Sequence, residues 1–201
     1  MPAPTVGVLA LQGDVVEHLA ALRRAGARTL EVRTPADLQR VEALVVPGGE
    51  STTVIRLLGR FGLVEPIRAR VRAGMPFWGT CMGMIVAARD VADLPQETLD
   101  HIDITVRRNA FGRQVDSAEV ELAIPVLGAE PFPAVFIRAP WIERTGPGVT
   151  SLAEREGHGV MVRQANVLGT AFHPELTGDD RVHGYFLSML EAGGAGRAAT
   201  R

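Results

Sequence analysis

The sequence predicts an α/β chain: a doubly wound, mostly parallel sheet with an antiparallel extension. Two observations carry this. Short strand-like runs alternate with segments of helical spacing through the first half, and the first of them, Thr5 to Leu11, is apolar on both faces, as strands are when helices cover both sides of a parallel sheet. From about residue 101 the texture changes to short alternating strands set apart by Pro and Gly turns, which reads as antiparallel pairing.

In order, Thr5 to Leu11 reads as the first buried strand, Gln12-Gly13-Asp14 as a turn with Asp14 as N-cap, and Val15 to Ala25 as a helix ended by Gly26. Thr29–Val32 is a second strand, Pro35–Arg40 a short helix and Ala43–Val46 a third strand. Pro47-Gly48-Gly49-Glu50-Ser51 follows that strand, with Ser51 or Thr52 able to cap the next helix. A helix carries Val54, Ile55, Leu57 and Leu58, and another runs from Leu63 to Arg72. Pro76–Gly79 reads as the central strand, turning into a helix whose apolar positions continue through Ala88. The later strands are placed at 101–106, 118–124, 134–138, 149–153, 159–163 and 168–172. Arg181 to Leu190 reads as the last helix, and the Gly/Ala-rich end as a frayed tail.

At 201 residues and 46% apolar composition the chain suits one domain with a full core. A formal charge of −2 and a pI near 6.2 argue against nucleic acid or an anionic membrane as the main partner. No apolar run is long enough to span a bilayer, no basic leader is read at the N-terminus, and a single cysteine fits a reducing compartment, so the expectation is cytoplasmic. All 21 basic residues are arginine. Schiff-base chemistry through a lysine of this chain is therefore excluded, and so is a P-loop.

The chemistry concentrates at strand ends, where open α/β sheets bind ligands. Gly79-Thr80-Cys81-Met82-Gly83 has the spacing of a nucleophile elbow, with a thiol in place of the usual hydroxyl. Read alone, it is equally compatible with a buried structural cysteine. His173 and Glu175 lie two apart at the end of the last strand, so their side chains project to one side and the carboxylate can orient the imidazole. Their bland alternative is a solvated surface turn. His18, His101, His158 and His183 are weaker candidates, none having a carboxylate two positions away at such an edge. The Gly48-Gly49 backbone can aim N–H groups at an oxyanion, or form an ordinary turn before a helix.

Gly79-Thr80-Cys81-x-Gly83, Pro47 to Thr53 and Phe172-His173-Pro174-Glu175 together resemble the class I (triad) glutamine amidotransferases. Within them, Gly7 to Gly13, Arg108 to Ser117 and Val135 to Pro140 resemble the glutaminase subunits of pyridoxal 5′-phosphate synthase, a likeness running from about Val6 to Leu190. It implies a class I glutamine amidotransferase-like fold, a glutaminase domain over residues 1–192 and a flexible tail at 193–201. It implies that L-glutamine is hydrolysed by Cys81 as nucleophile, His173 as general base and acid, and Glu175 as its orienting residue. Gly49, Glu50, Ser51, Arg108, Ile137 and Arg138 match substrate-contacting positions, and the N–H groups of Gly49 and Met82 match the oxyanion hole. Gln12 matches a position where the synthase subunit docks to receive ammonia in a large hetero-oligomer. Neither cofactor nor metal is implied. Met82 and Trp141 depart from the family pattern, Met82 standing where a small residue is common. The rival expectations are the glutaminase subunit of another amidotransferase, such as imidazole glycerol phosphate synthase, or a non-enzymatic redox-sensing protein.

Overall fold

The computed structural model describes residues 2–108 and 117–198, with side chains as far as Glu191. Most of the Arg108–Ser117 segment singled out above, residues 109–116, lies outside that description.

The first half alternates as expected: β1 (Thr5–Leu9), α1 (Val15–Arg24), β2 (Arg28–Val32), α2 (Pro35–Leu38), β3 (Ala43–Val46), α3 (Ser51–Arg60), α4 (Val64–Arg72), β4 (Phe77–Thr80) and α5 (Met82–Ala87). Then come β5 (Ala88–Val91), β6 (Ile102–Arg107), β7 (Ser117–Leu122), β8 (Phe132–Ile137), β9 (Trp141–Thr145), β10 (Thr150–Arg155), β11 (His158–Gln164), β12 (Val167–Thr170) and α6 (Arg181–Ala198). Single turns of 3₁₀ helix lie at Pro125–Leu127 and Pro174–Leu176.

The main sheet has the order β2-β1-β3-β4-β12-β11-β9-β6-β5, with β10 paired to β11. Its β2-β1-β3-β4-β12 part is parallel, while β11 pairs antiparallel with β12, β9 and β10. One sheet thus changes character at the β12–β11 edge, which is the antiparallel extension the sequence predicts. β3 and β4 are buried at every position, as are β12 and most of β1, because α1 through α6 and the loops cover both faces. β4 lies between β3 and β12, so the strand leading to Cys81 is central.

Four details differ from the sequence reading. Helix α5 stops at Ala87, and Ala88 opens β5; an apolar run this short has no period that separates helix from strand. Trp141–Thr145 is a strand that the sequence reading leaves out, since three of its five residues are exposed and polar. The strands read near 118–124 and 134–138 form their own antiparallel pair, β7–β8, outside the main sheet. The backbone of α6 runs to Ala198, beyond the Leu190 at which the reading ends it; the glycines at 193, 194 and 196 signal a stop, but adding residues to a formed helix costs far less than starting one.

Candidate active site

Three chain crossings from strand to loop build the site. The first is the elbow. Cys81 follows β4 with φ 49° and ψ −106°, a conformation that costs a non-glycine residue about 1–3 kcal/mol. The turn is tight because its two glycines are required sterically. A Cβ on Gly79 would lie 2.3 Å from the Gly83 carbonyl oxygen, and one on Gly83 would lie 2.0 Å from that of Val46. The Cys81 N–H donates to the Thr170 carbonyl of β12 at 2.7 Å, pinning the elbow to the neighbouring strand. The thiol is buried and sits 3.9 Å from the Ile137 carbonyl oxygen.

The second crossing is His173, three residues past β12. Its backbone N–H donates to the Val135 carbonyl at 2.8 Å, which fixes where the ring emerges. Nδ1 lies 2.8 Å from Glu175 Oε1 and 3.4 Å from Asp14 Oδ2. With Nδ1 held by carboxylates, Nε2 is the nitrogen left for the thiol. Burial disfavours a charged ring, but hydrogen bonds to Asp14, Cys81 and Glu175 and the charge of a Cys81 thiolate outweigh it, pushing the pKa up to about 12. Glu175 is itself almost fully buried. That burial raises its carboxyl above the usual range, and the bond to His173 pulls the other way. Gly48 makes the close fit possible: a Cβ there would lie 2.5 Å from His173 Cε1.

The third crossing is the loop from β3 to α3. Glu50, not Ser51 or Thr52, is the N-cap of α3, accepting from the N–H groups of Thr52 and Thr53 at 3.2 and 2.7 Å. Although desolvation acts to raise its pKa, hydrogen bonds from the side chains and backbones of Thr52 and Thr53 hold it at about 2. The Ser51 hydroxyl is turned to Gln96, donating to its Oε1 at 3.1 Å. Gly49 has φ 151° and packs against Gln12, whose Oε1 accepts the Glu50 N–H at 3.3 Å.

These crossings enclose a cavity of about 420 Å³. Cys81, His173, Gly49, Glu50, Ser51, Met82, Arg108, Ile137, Arg138 and Gln12 all line it, with Glu175 behind His173. Of the predicted site residues, then, each is brought to one place. Arg138 is exposed there with φ 43°, and Arg108 is tied to Asp93, its Nε donating at 3.3 Å. Gln12, expected at a docking surface, also props the Gly49–Glu50 loop.

Sequence reasoning missed two contributors. Asp14 occupies the N-cap position of α1 but makes no side-chain cap; its carboxylate faces His173 instead. Its place in the turn leaving β1, two residues after Gln12, was the available signal. His18, set aside as a helical histidine, is fully buried with Nε2 3.3 Å from Glu175 Oε2. It stands one helical turn after Asp14, and that spacing puts both on one face of α1. Asp14, His173 and Glu175 bring ligand atoms within 4.8 Å of one another, a set able to hold a cation. With His173 Nδ1 already given to Glu175, proton handling fits these groups better. The Trp141 ring stacks on His158 at 3.8 Å, so its departure from the family pattern serves packing within the extension.

Among the described residues no helix is long and apolar enough to cross a membrane. The chain is 47% identical to a protein whose crystal structure is described as a glutamine amidotransferase, with a TM-score of 0.88 over 92% of this chain and 98% of that one. Among curated relatives it is 56% identical to the pyridoxal 5′-phosphate synthase subunit PdxT of Streptomyces avermitilis, over 96% of both chains. It is likewise 56% identical to the protein of that name from Roseiflexus castenholzii, covering 92% of this chain and all of the relative. The model of the SNO glutamine amidotransferase family matches residues 8–192. With the cysteine elbow, the buried histidine and the carboxylate behind it already in place, that match settles the assignment: the chain belongs to the SNO glutamine amidotransferase family.

Proposed function

We propose that this chain is the glutaminase subunit of a pyridoxal 5′-phosphate synthase, hydrolysing L-glutamine to L-glutamate and ammonia and passing the ammonia to a separate synthase subunit in the cytoplasm. The observation that carries the chemistry is the shared cavity: a strained, buried thiol and an imidazole fixed at Nδ1 by a carboxylate open onto one space.

In this reading the Cys81 thiolate attacks the side-chain amide carbon of glutamine. The N–H groups of Gly49 and Met82 receive the developing oxyanion. His173 protonates the amide nitrogen, the C–N bond breaks and ammonia leaves, with a γ-glutamyl thioester left on Cys81. The neutral imidazole then takes a proton from water, the resulting hydroxide attacks the thioester, and glutamate departs as the thiolate re-forms. Glu175 keeps the Nδ1 proton pointed inward through both steps. Glu50, Ser51, Arg108, Ile137 and Arg138 hold the amino-acid end of the substrate, the two arginines supplying positive charge for its carboxylate.

Gln12 gives docking a route to the chemistry, because it touches both the N-terminal turn and the peptide between Gly49 and Glu50. A partner pressing on Gln12 would set the Gly49 N–H. The absence of lysine fits the division of labour, since imine chemistry on a sugar phosphate must then belong to the partner. Glutamate release measured with and without the cognate synthase subunit tests both halves. Activity that rises on adding the subunit supports the reading. No hydrolysis in either condition contradicts it, and full turnover by the isolated chain contradicts the docking part.

A further inference from the structure

Behind the Cys81–His173–Glu175 line lies a polar chain that the mechanism above does not use. Glu175 presents Oε1 to His173, while its other oxygen, Oε2, is enclosed without a well-formed hydrogen bond. A carboxylate oxygen in that position is costly unless a donor reaches it. The His18 Nε2 lies 3.3 Å from it and 3.1 Å from Thr80 Oγ1, the residue just before the nucleophile. On the other side of the ring, His18 Nδ1 lies 3.2 Å from His183 Nε2 on α6. Both histidines are fully buried.

The tautomers follow from acceptor counting. An ionised carboxylate only accepts, so His18 must carry its proton on Nε2. Its Nδ1 is then an acceptor and needs a donor, which His183 supplies if its own proton is on Nε2. That leaves His183 Nδ1 as a bare lone pair, and it is indeed a buried nitrogen with no hydrogen-bond partner. The reverse assignment would set a His18 lone pair against the carboxylate. Burial holds both rings uncharged, with His18 well below its ordinary pKa, lowered further by His183 and His173, and His183 at about 4. The His18 and His183 rings each make a T-shaped contact with Trp78, ring centres 5.4 and 4.9 Å apart, which limits their rotation.

We propose that His18 is a positioning residue of the glutaminase reaction: its Nε2–H, shared between Thr80 Oγ1 and Glu175 Oε2, holds the carboxylate that in turn holds His173. The inference rests on the function proposed above and deepens it. The groups facing Glu175 are His173 beside it and Asp14 and His18 from α1, with His183 behind His18. Of these, His18 is the one that can donate to Oε2 while neutral.

Two substitutions separate this role from simple packing. In His18→Gln the side-chain amide N–H reaches toward the place of Nε2, whereas in His18→Asn the shorter amide reaches only the place of Nδ1. Glutamate release is measured with the synthase subunit present, alongside Tm for each variant. His18→Asn is expected to lower kcat about 10-fold with little change in KM. It is also expected to move the acid limb of the kcat–pH profile upward, because the ionised Glu175 loses a donor. His18→Gln is expected to recover most of kcat and the wild-type acid limb. If both variants keep wild-type kcat, or both lose it in step with Tm, the proposal is wrong. Should neither variant fold, nitrogen-15 NMR of the histidine-labelled wild type decides it: a proton on Nε2 of His18 supports the proposal, and one on Nδ1 overturns it. A wild-type complex without glutaminase activity, or one still active as Cys81→Ala, would defeat the parent reading and this inference together. Unchanged His18 variants of a Cys81-dependent enzyme defeat this inference alone.

Discussion

The two halves of the sheet make different contributions to one cavity. The parallel half delivers the groups proposed to react: the elbow after β4, the histidine after β12 and the glycine loop after β3, each at a strand end buried on both sides. The antiparallel half and the separate β7–β8 pair line the same cavity with Arg108 after β6 and Ile137 and Arg138 at the end of β8, which join Glu50 and Ser51 of the β3–α3 loop as the groups proposed to hold the substrate. The groups proposed to react sit where the backbone is over-determined by packing, whereas Arg108, Ile137 and Arg138 sit where it is half exposed. Rigid placement suits bond-making, and the more open edge suits binding and release.

That division makes mutations in the two halves fail differently. Cys81→Ala should lower kcat for glutamine hydrolysis by about 10⁴-fold or more, since among the described residues the cavity holds no second thiol and the Ser51 hydroxyl is turned to Gln96. Glu175→Gln should lower it by about 10²-fold while leaving KM nearly unchanged, because the ring it orients no longer presents the right tautomer. Arg138→Ala, in the other half, should raise KM about 10-fold with kcat close to wild type. Steady-state kinetics of the complex measures all three, and an Arg138 variant that loses kcat instead would erase the distinction between the halves.

Two smaller effects concern stability. His18 and His183 in the parallel half, and His101 at the start of the other, have folded pKa values below the ordinary 6.5, with His101 and His183 at about 4, chiefly through burial. The unfolded chain therefore binds more protons than the folded one between those values. Stability should fall as pH drops from about 6.5 towards 4, as read by Tm against pH. Glu50→Gln should lose about 0.5–1 kcal/mol at neutral pH through the weakened cap of α3. Because the folded carboxyl lies near 2 against 4.5 unfolded, that difference should shrink as pH falls through this window, which urea titrations at several pH values would reveal.

Much of this was legible in the sequence, and the reasons are local. The inner parallel strands β1, β3, β4 and β12 are short, mostly buried runs dominated by apolar residues and glycine, and the elbow announces itself because Gly79 and Gly83 admit no side chain. The His173–Glu175 pair was readable from a spacing of two at a strand end. What escaped depended on contacts distant in sequence. His18 meets Glu175 and His183 only after α1 and α6 pack together around the end of β12, and nothing near it in the chain marks it. Asp14 looked like a cap because a cap and a cavity-facing carboxylate occupy the same turn. Strands β5 and β9 were too short or too polar for their period to register.

The most direct test treats the complex with a glutamine analogue that carries an electrophilic carbon in place of the side-chain amide, then maps the modified peptide by mass spectrometry. One equivalent of label on Cys81, prevented by excess glutamine and slowed in His173→Asn, is the predicted result. Glutamine hydrolysis that persists in Cys81→Ala, with the label absent or on another residue, would contradict it.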